Sequence, residues 1–329
     1  MDPGPRQVNE IDGSEHPGAP GEPAIPTGPL LLVTRNYPPQ VGGLERYAAD
    51  LHHALAERLE VELLASRSGK RGIPWLVARV LWRVARAPRR YWRIHFADAA
   101  LAPLAVLVRR IAKAPVTVST HALDVVYANA LYQWLVSRSL RRLDGVVSVS
   151  RYTRDACLER GVDPARCRVI PNGIRFDSSA TDARAAGAPD GLPDGLEGRR
   201  VLVTVGRLVR RKGVGWFVAE VMPRLDPSWI CLVGGAGPER ARIADAVAAH
   251  GLESRVHLLG AVDERRKAAL LDRADLFVMP NVPVPGDAEG FGISAIESTA
   301  HGVPVLASDL EGLRDAVVDG VTGRLVPPL

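Results

Sequence analysis

The chain has 329 residues, 47% of them hydrophobic but only 5% aromatic, with a formal net charge of +5. That length suits two domains of moderate size, each able to bury a core. No run approaches the ~18 consecutive apolar residues of a membrane span, and Cys157, Cys167 and Cys231 show no paired metal spacing, so they read as reduced structural thiols of a cytoplasmic protein.

Residues 1–28 lack an apolar signal core and read as a disordered tail, which argues against secretion. Leu30 to Thr34 is a short apolar run typical of a buried strand. The loop from Tyr37 to Gly43 holds Pro38-Pro39 and Gly42-Gly43, and it opens an amphipathic helix from Leu44 to Arg58. Val61 to Ala65 gives the next strand.

The charge is unevenly placed: from Arg67 to Arg93 there are nine basic residues and no acidic one. From Pro74 the sequence WLVARVLWRVARAPRRYWR sets Arg79, Arg83, Arg86, Arg90 and Arg93 at spacings of four, three, four and three. That is one Arg stripe if the helix survives Pro88. Two readings stand. One is docking on an anionic bilayer through Arg79, Trp82, Arg83 and Arg86. The other is a domain helix with a solvated Arg face and an apolar face in the core. Nucleic-acid binding fits poorly, because no base-stacking aromatic pattern accompanies the charge.

Val116 to Ser119 and Val146 to Ser150 repeat the strand pattern, each followed by helical periodicity. Such alternation implies a parallel sheet covered on both faces. Between Pro171 and Arg199 the texture turns to Gly, Pro, Asp and Ala. Residues 176–198 are therefore expected to be a linker or surface loop between a domain over 29–175 and another over 199–329. Val201 to Val205, Ile230 to Val233, Val256 to Leu259, Leu276 to Met279 and Val303 to Ala307 are the strands of the second series. The expected class is α/β, with two doubly wound domains facing across a cleft and ligands held at the carboxyl ends of strands. The sequence stops at Leu329, soon after a last strand near Arg324 to Val326. Such a domain normally adds a covering helix, so either the chain is a fragment or its closing helix is absent.

Three loops of the second series carry chemistry. Gly206 and Gly213 bracket a dense basic turn in which Arg207 can fork two phosphate oxygens and Lys212 adds a point charge. Arg210 and Arg211 read as a solvated part of that turn. Gly234 to Arg240, with Gly235 and Gly237, precedes a helix and lets amides approach an anion, a weak signal alone. The third loop is Glu289-Gly290-Phe291-Gly292-Ile293-Ser294-Ala295-Ile296-Glu297. Its glycines permit close backbone approach where a helix begins, and the free amides there suit a phosphate. Glu289 lies where a carboxylate can bond sugar hydroxyls, while Glu297 shares a helical face with Ile293.

Glu-x7-Glu enclosing Gly-Phe-Gly resembles the family-4 retaining glycosyltransferases of the two-domain GT-B fold, whose halves are Rossmann-like. Pro38-Pro39 with Gly42-Gly43, Thr120-His121 with Asp124, Pro171-Asn172-Gly173, Gly206-Arg207 with Lys212, Gly235 to Glu239 and Leu259-Gly260 follow in the family's order. The resemblance covers nearly everything from Leu30 to Pro327. It implies that Arg207 and Lys212 stabilise the departing nucleoside diphosphate, that Glu289 holds sugar hydroxyls, and that Glu297 holds the ribose. Amides from Phe291 to Ile293 would contact phosphate or sugar, Gly42-Gly43 would close over the donor, and the backbone near Leu259 would meet the base. His121 would sit beside the reacting sugar, acting through its backbone carbonyl; a satisfied loop histidine is the plainer alternative. No cofactor is implied, and without an Asp-x-Asp motif no metal site either.

Three features depart from the family. Ala122 stands where glycine is frequent, Arg175 stands where a smaller or acidic residue is usual, and the last helix is missing.

The resemblance implies retaining transfer of a hexosyl unit from a UDP- or GDP-sugar to a saccharide or lipid-linked acceptor, in cell-envelope polysaccharide, lipopolysaccharide or glycolipid synthesis. The expected place is the cytoplasm, with the inner membrane face as its working surface if the basic helix docks on a bilayer. A sugar-nucleotide epimerase on the same fold and an inactive nucleotide-sugar-binding protein are the competing readings.

Overall fold

A computed structural model describes residues 27–40, 42–66, 69–175 and 192–328. The tail expectation at 1–26 and the linker expectation at 176–191 lie outside the described residues. The first sheet comprises β1 (Leu30–Thr34), β2 (Val61–Ala65), β3 (Arg93–Phe96), β4 (Val116–Thr120), β5 (Gly145–Ser148) and β6 (Cys167–Val169). The second comprises β7 (Arg200–Val205), β8 (Trp229–Gly234), β9 (Val256–Gly260), β10 (Leu276–Met279), β11 (Val305–Ser308) and β12 (Gly323–Val326). Every ladder is parallel, in the orders β2-β1-β3-β4-β5-β6 and β12-β11-β10-β7-β8-β9. The two doubly wound sheets expected from the alternation are thus present.

The helices are α1 (Gly43–Ala56), α2 (Ile73–Arg86), α3 (Ala102–Ile111), α4 (Leu123–Val126), α5 (Ala130–Leu140) and α6 (Arg151–Glu159) in the first domain. In the second they are α7 (Val214–Trp216), α8 (Arg240–Ala249), α9 (Glu264–Arg273), α10 (Ile293–Ala300) and α11 (Leu313–Ala316). Side-chain oxygens of Asn129, Ser150 and Asp263 cap α5, α6 and α9 by accepting from Tyr132, Thr153 and Arg266 amides.

Burial explains the strand sequences. All five residues of β1 are buried, and its apolar run reads as a strand covered on both faces. On one face, Leu31 and Val33 pack with Leu76 and Val80 of α2, Ala105 and Val108 of α3, and Val136 and Leu140 of α5. On the other, Leu30 and Leu32 meet Ala48, Leu51 and Leu55 of α1. Each fully buried Leu is worth roughly 1.5–3 kcal/mol of transfer free energy. All three cysteines are unpaired and buried.

The basic stretch departs from the continuous-helix reading. Pro88 cannot continue the backbone ladder, so α2 ends at Arg86 and Arg93 opens β3. Arg90 and Arg93 therefore do not extend a helical stripe. At the linker's far end, Leu192 and Leu196 pack on the core of the second domain.

In each sheet the chain reverses its direction of travel beside the first strand, between β1 and β3 and between β7 and β10. The crevice at such a switch point is where this architecture holds ligands.

Candidate functional site

At the second switch point the loops leaving β7, β8, β9 and β10 lie side by side. The Gly206 amide donates to the Gly234 carbonyl at 2.9 Å, Gly235 to Gly260 at 2.6 Å, Leu208 to Ala236 at 2.9 Å and Val282 to Arg211 at 2.9 Å. These bonds stack Gly206, Gly235, Gly237 and the Leu259-Gly260 turn into one rim. The short turn Arg210–Lys212 then directs two cations at the loop after β10.

Their target is Glu289. Its Oε2 accepts from Lys212 Nζ at 2.5 Å, from Arg211 at 2.5 Å and from Asn281 Nδ2 at 3.1 Å. Burial alone would raise the pKa of this carboxyl, but the Lys212 and Arg211 charges, with the Lys212 and Asn281 hydrogen bonds, bring it down to about 2. Arg211 also reaches Asp287 at 2.9 Å and keeps only 18% of its side chain exposed. The sequence reading of Arg211 as a solvated residue is therefore corrected: it is a structural partner of the site carboxylate. Arg210 and Arg207 are exposed, and Arg207 forms no ion pair among the described residues.

Beyond Glu289 the backbone turns sharply into α10. Gly292, at φ 94°, occupies a conformation closed to most side chains, and it places the first amides of α10 at the rim. Phe291 is buried and packs on the core below, while Ile293 packs partly on the same cluster. Glu297, further along α10, is tied to Lys267 at 2.8 Å and to Arg46 of the first domain at 2.8 Å.

The first domain supplies the opposite lip. Gly42 and Gly43 are exposed at the start of α1, where the Arg46 amide closes the first turn onto the Gly42 carbonyl at 3.0 Å. Buried Asp124 fixes the strap after β4 by accepting from the His121 amide at 2.8 Å and the Ala99 amide at 3.0 Å. The His121 ring lies edge-on to Tyr47, centroids 4.4 Å apart, and its Nε2 is 2.9 Å from the Ala97 carbonyl oxygen. The imidazole is thus structurally engaged. The His121 carbonyl faces the second domain: a Cβ on Gly290 would come within 2.7 Å of that oxygen. Ala122 follows at φ 63°, ψ −71°, and the Leu123 amide returns to the His121 carbonyl at 2.9 Å. This is a γ-turn, strained for any residue with a Cβ.

Lys212, Glu289, Gly290, the start of α10 and the His121 carbonyl are thus brought together. Glu297 stands apart, held by Lys267 and Arg46. Arg79, Trp82, Arg83 and Arg86 lie on the helical layer outside the cleft, where Arg83 is ion-paired to Glu62 at 2.5 Å. Sequence reasoning missed Arg46, Asn281, Arg211 and Glu311. Asn281 had a signal, because it follows β10 at a strand's carboxyl end. Its Oδ1 is buried without a protein partner. Glu311 accepts from the Glu289 amide at 2.5 Å.

Residues 41–178 match the family model described as Glycosyltransferase Family 4, and residues 199–329 match Glycosyl transferases group 1. A GDP-mannose-dependent alpha-(1-6)-phosphatidylinositol monomannoside mannosyltransferase of Mycolicibacterium smegmatis is 30% identical over 328 residues, covering 90% of this chain and 85% of that protein. The chain belongs to glycosyltransferase family 4. A phosphatidyl-myo-inositol mannosyltransferase of Mycobacterium leprae is also 30% identical, over 71% of this glycosyltransferase and 59% of its own length.

Among solved structures, Anabaena HepE in complex with UDP and glucose superposes with a TM-score of 0.69 at 20% identity, covering 92% of this chain and 86% of that one. Sucrose-phosphate synthase from Thermosynechococcus elongatus gives 0.71 at 23% identity, with the same coverage. These likenesses establish the GT-B fold of the glycosyltransferase.

Proposed function

We propose that this glycosyltransferase moves a hexosyl unit from a nucleoside-diphosphate sugar to a hydroxyl of a lipid-borne acceptor, retaining the anomeric configuration. In this reading the domain over 29–175 is the acceptor side and the domain over 199–329 the donor side. The observation that carries it is the buried Glu289 carboxylate, clamped by Lys212 and Arg211 beside the start of α10. Lys212, Arg211 and Asn281 all reach Oε2, and the second carboxylate oxygen, Oε1, completes the acceptor pair. That second oxygen suits a sugar hydroxyl. Held near a pKa of about 2, Glu289 remains a carboxylate and serves as an acceptor, not as an acid.

Charge on the departing diphosphate is met by Lys212, by exposed Arg207 and by the amides opening α10. Preorganised cations of this kind stabilise the leaving group without a metal ion. No protein nucleophile is assigned: the acceptor attacks on the face from which the nucleotide departs, aided by the leaving phosphate, with the His121 carbonyl beside the reacting sugar. In this reading Glu297 receives the ribose once Arg46 yields, with Gly42-Gly43 closing over the donor and the backbone at Leu259 near the base.

The names of the mycobacterial relatives make GDP-mannose the first donor to try and a phosphatidylinositol-type glycolipid the first acceptor. Among the described residues no helix is long and apolar enough to cross a membrane. In this reading a lipid acceptor is met at a bilayer surface. Exposed Arg79, Trp82 and Arg86 on α2 suit that contact. A cavity of about 410 Å³ at the carboxyl end of β2, lined by Ser66, Trp75 and Arg79 among others, adds room on the acceptor side.

The test is a screen of GDP- and UDP-sugars with mass detection of products. Free nucleoside diphosphate together with a glycosylated lipid is expected. An isomerised nucleotide sugar would replace this reading with the epimerase. Donor binding without turnover would leave a binding protein.

A further inference from the structure

The first domain exposes a second apolar face, distinct from α2. Helix α5 buries Val136 and Leu140 but leaves Leu131 73%, Trp134 59% and Leu135 41% exposed. Their spacing of three and four residues puts them on one side of the helix. Immediately upstream, Leu123 and Tyr127 are exposed as well. Large apolar side chains scattered singly need no explanation, whereas a contiguous set marks an interaction surface.

Helices α2, α3 and α5 pack side by side as one layer over the first sheet, α2 against α3 and α3 against α5. None of the three contains an Asp or Glu. Arg79, Arg86, Arg110 and Arg138 are exposed on this layer and form no ion pair among the described residues, while exposed Arg109 is paired to Asp144 at 2.8 Å. Its two flanking helices repeat one arrangement: Arg86 lies over the Trp82 ring at 5.6 Å, and Arg138 over the Trp134 ring at 5.8 Å. Each pair presents an aromatic body beneath a cation, the combination that suits the boundary between headgroups and tails.

Charge decides between occupants. A second copy docking through the same face would bring one arginine set against the other, since a two-fold interface pairs a patch with itself. An anionic bilayer opposes no like charge and gains about 1 kcal/mol per basic residue near its surface. The layer also reaches the cleft. Ala128, between Tyr127 and α5, abuts the second domain, where a Cβ on Gly286 would fall 2.6 Å from the Ala128 Cβ. His121 lies on the same strap.

We propose that Leu131, Trp134 and Leu135 form a second lipid-inserting face, which with α2 and α3 seats the first domain on an anionic bilayer with the cleft mouth at the surface. The proposal rests on the reading of the acceptor as lipid-borne. It predicts that α2 is not sufficient for docking.

The test is flotation of the full chain with phosphatidylcholine vesicles, with and without phosphatidylglycerol, comparing wild type with Leu131→Ser/Trp134→Ser/Leu135→Ser. Wild type should float with the anionic vesicles. The triple variant should partition at least about tenfold less, the scale of withdrawing one buried apolar side chain, with thermal unfolding unchanged. Flotation of the variant equal to wild type would overturn the proposal. So would sedimentation showing a wild-type dimer that the substitutions convert to monomer while flotation persists. Release of nucleoside diphosphate from donor in vesicle-free buffer, measured on both proteins, keeps the readings separate. Its absence in both would strike the donor reading and leave the flotation result standing.

Discussion

Lys212 and Arg211 converge on one oxygen of Glu289, so the consequences of removing either depend on what stays behind. In Lys212→Ala the carboxylate keeps Arg211 and Asn281, and the full penalty of an unpaired buried charge is not incurred. The variant should fold, yet turnover should fall at least ~100-fold, the scale of losing one oxyanion-stabilising group. Glu289→Ala should lose a similar amount through the sugar contact. Initial-rate kinetics beside thermal melts check both, and near-normal rates in the two would refute the site.

Glu311 titrates in the opposite sense. Burial pushes its carboxyl up to about 7, and the facing Glu289 charge adds to the rise against the hydrogen bond from the Glu289 amide. The folded chain thus holds a proton that the unfolded chain has released above about pH 4.5, so stability falls as pH rises from there to about 7. Glu311→Gln keeps an acceptor for the Glu289 amide without the titration. Melting temperatures of wild type should therefore drop relative to the variant between about pH 5 and pH 8. For Glu289, with its depressed pKa, stability is present above about pH 4.5 and is lost only as pH falls toward about 2.

Glycine-bracketed loops at strand ends pointed to Lys212 and Glu289 separately. Arg211 was illegible because its partners, Asp287 and Glu289, lie 76 and 78 residues away. Arg46 was illegible because Glu264 and Glu297, which it joins, are in the other domain.

Among the elements, α2 shows how one proline redistributes charge. Ending the helix at Arg86 leaves Arg90 to join Arg83 on Glu62, at 3.2 and 2.5 Å. Arg83 thereby belongs to the fold, while Arg79 and Arg86 remain exposed. Arg79→Ala/Arg86→Ala should weaken flotation with anionic vesicles, most visibly at low salt, with no change in melting temperature. Arg83→Ala should lower the melting temperature by a few degrees, since Glu62 loses its shortest partner. Equal melting of the two variants would undo the distinction.

The boundaries of β1, β2 and β10 were legible to the residue, each an apolar run between breakers. Strand β3 was not, because Arg93-Ile94-His95-Phe96 closes a basic stretch and its burial comes from β1 and β4 on either side. The three-residue β6 is too short to leave a periodic signal.

At the scale of the whole molecule, the two domains are clasped at two places. Arg46 joins Glu264 and Glu297, and Arg151 joins Asp315 at 2.5 Å with its own amide on the same carboxylate at 2.7 Å. The carboxylates of Glu297 and Asp315 are buried, with 9% and 8% of their side chains exposed, and each keeps a partner when its arginine is removed: Lys267 for Glu297 and the residue-151 amide for Asp315. Arg46→Ala/Arg151→Ala should therefore enlarge the radius of gyration seen by small-angle scattering, and saturating donor should reverse the change. An unaltered scattering profile would show that the clasps do not set the domain spacing.

Gly290 gives the cleft a ruler. With no side chain there, the second domain approaches until its backbone meets the His121 carbonyl, and a methyl group would already stand 2.7 Å from that oxygen. A graded series, Gly290→Ala and then Gly290→Val, acts as a set of shims of rising thickness between the lips. Each shim holds the molecule a little further ajar, turning domain closure from an event inferred at its end points into a distance that can be dialled and read.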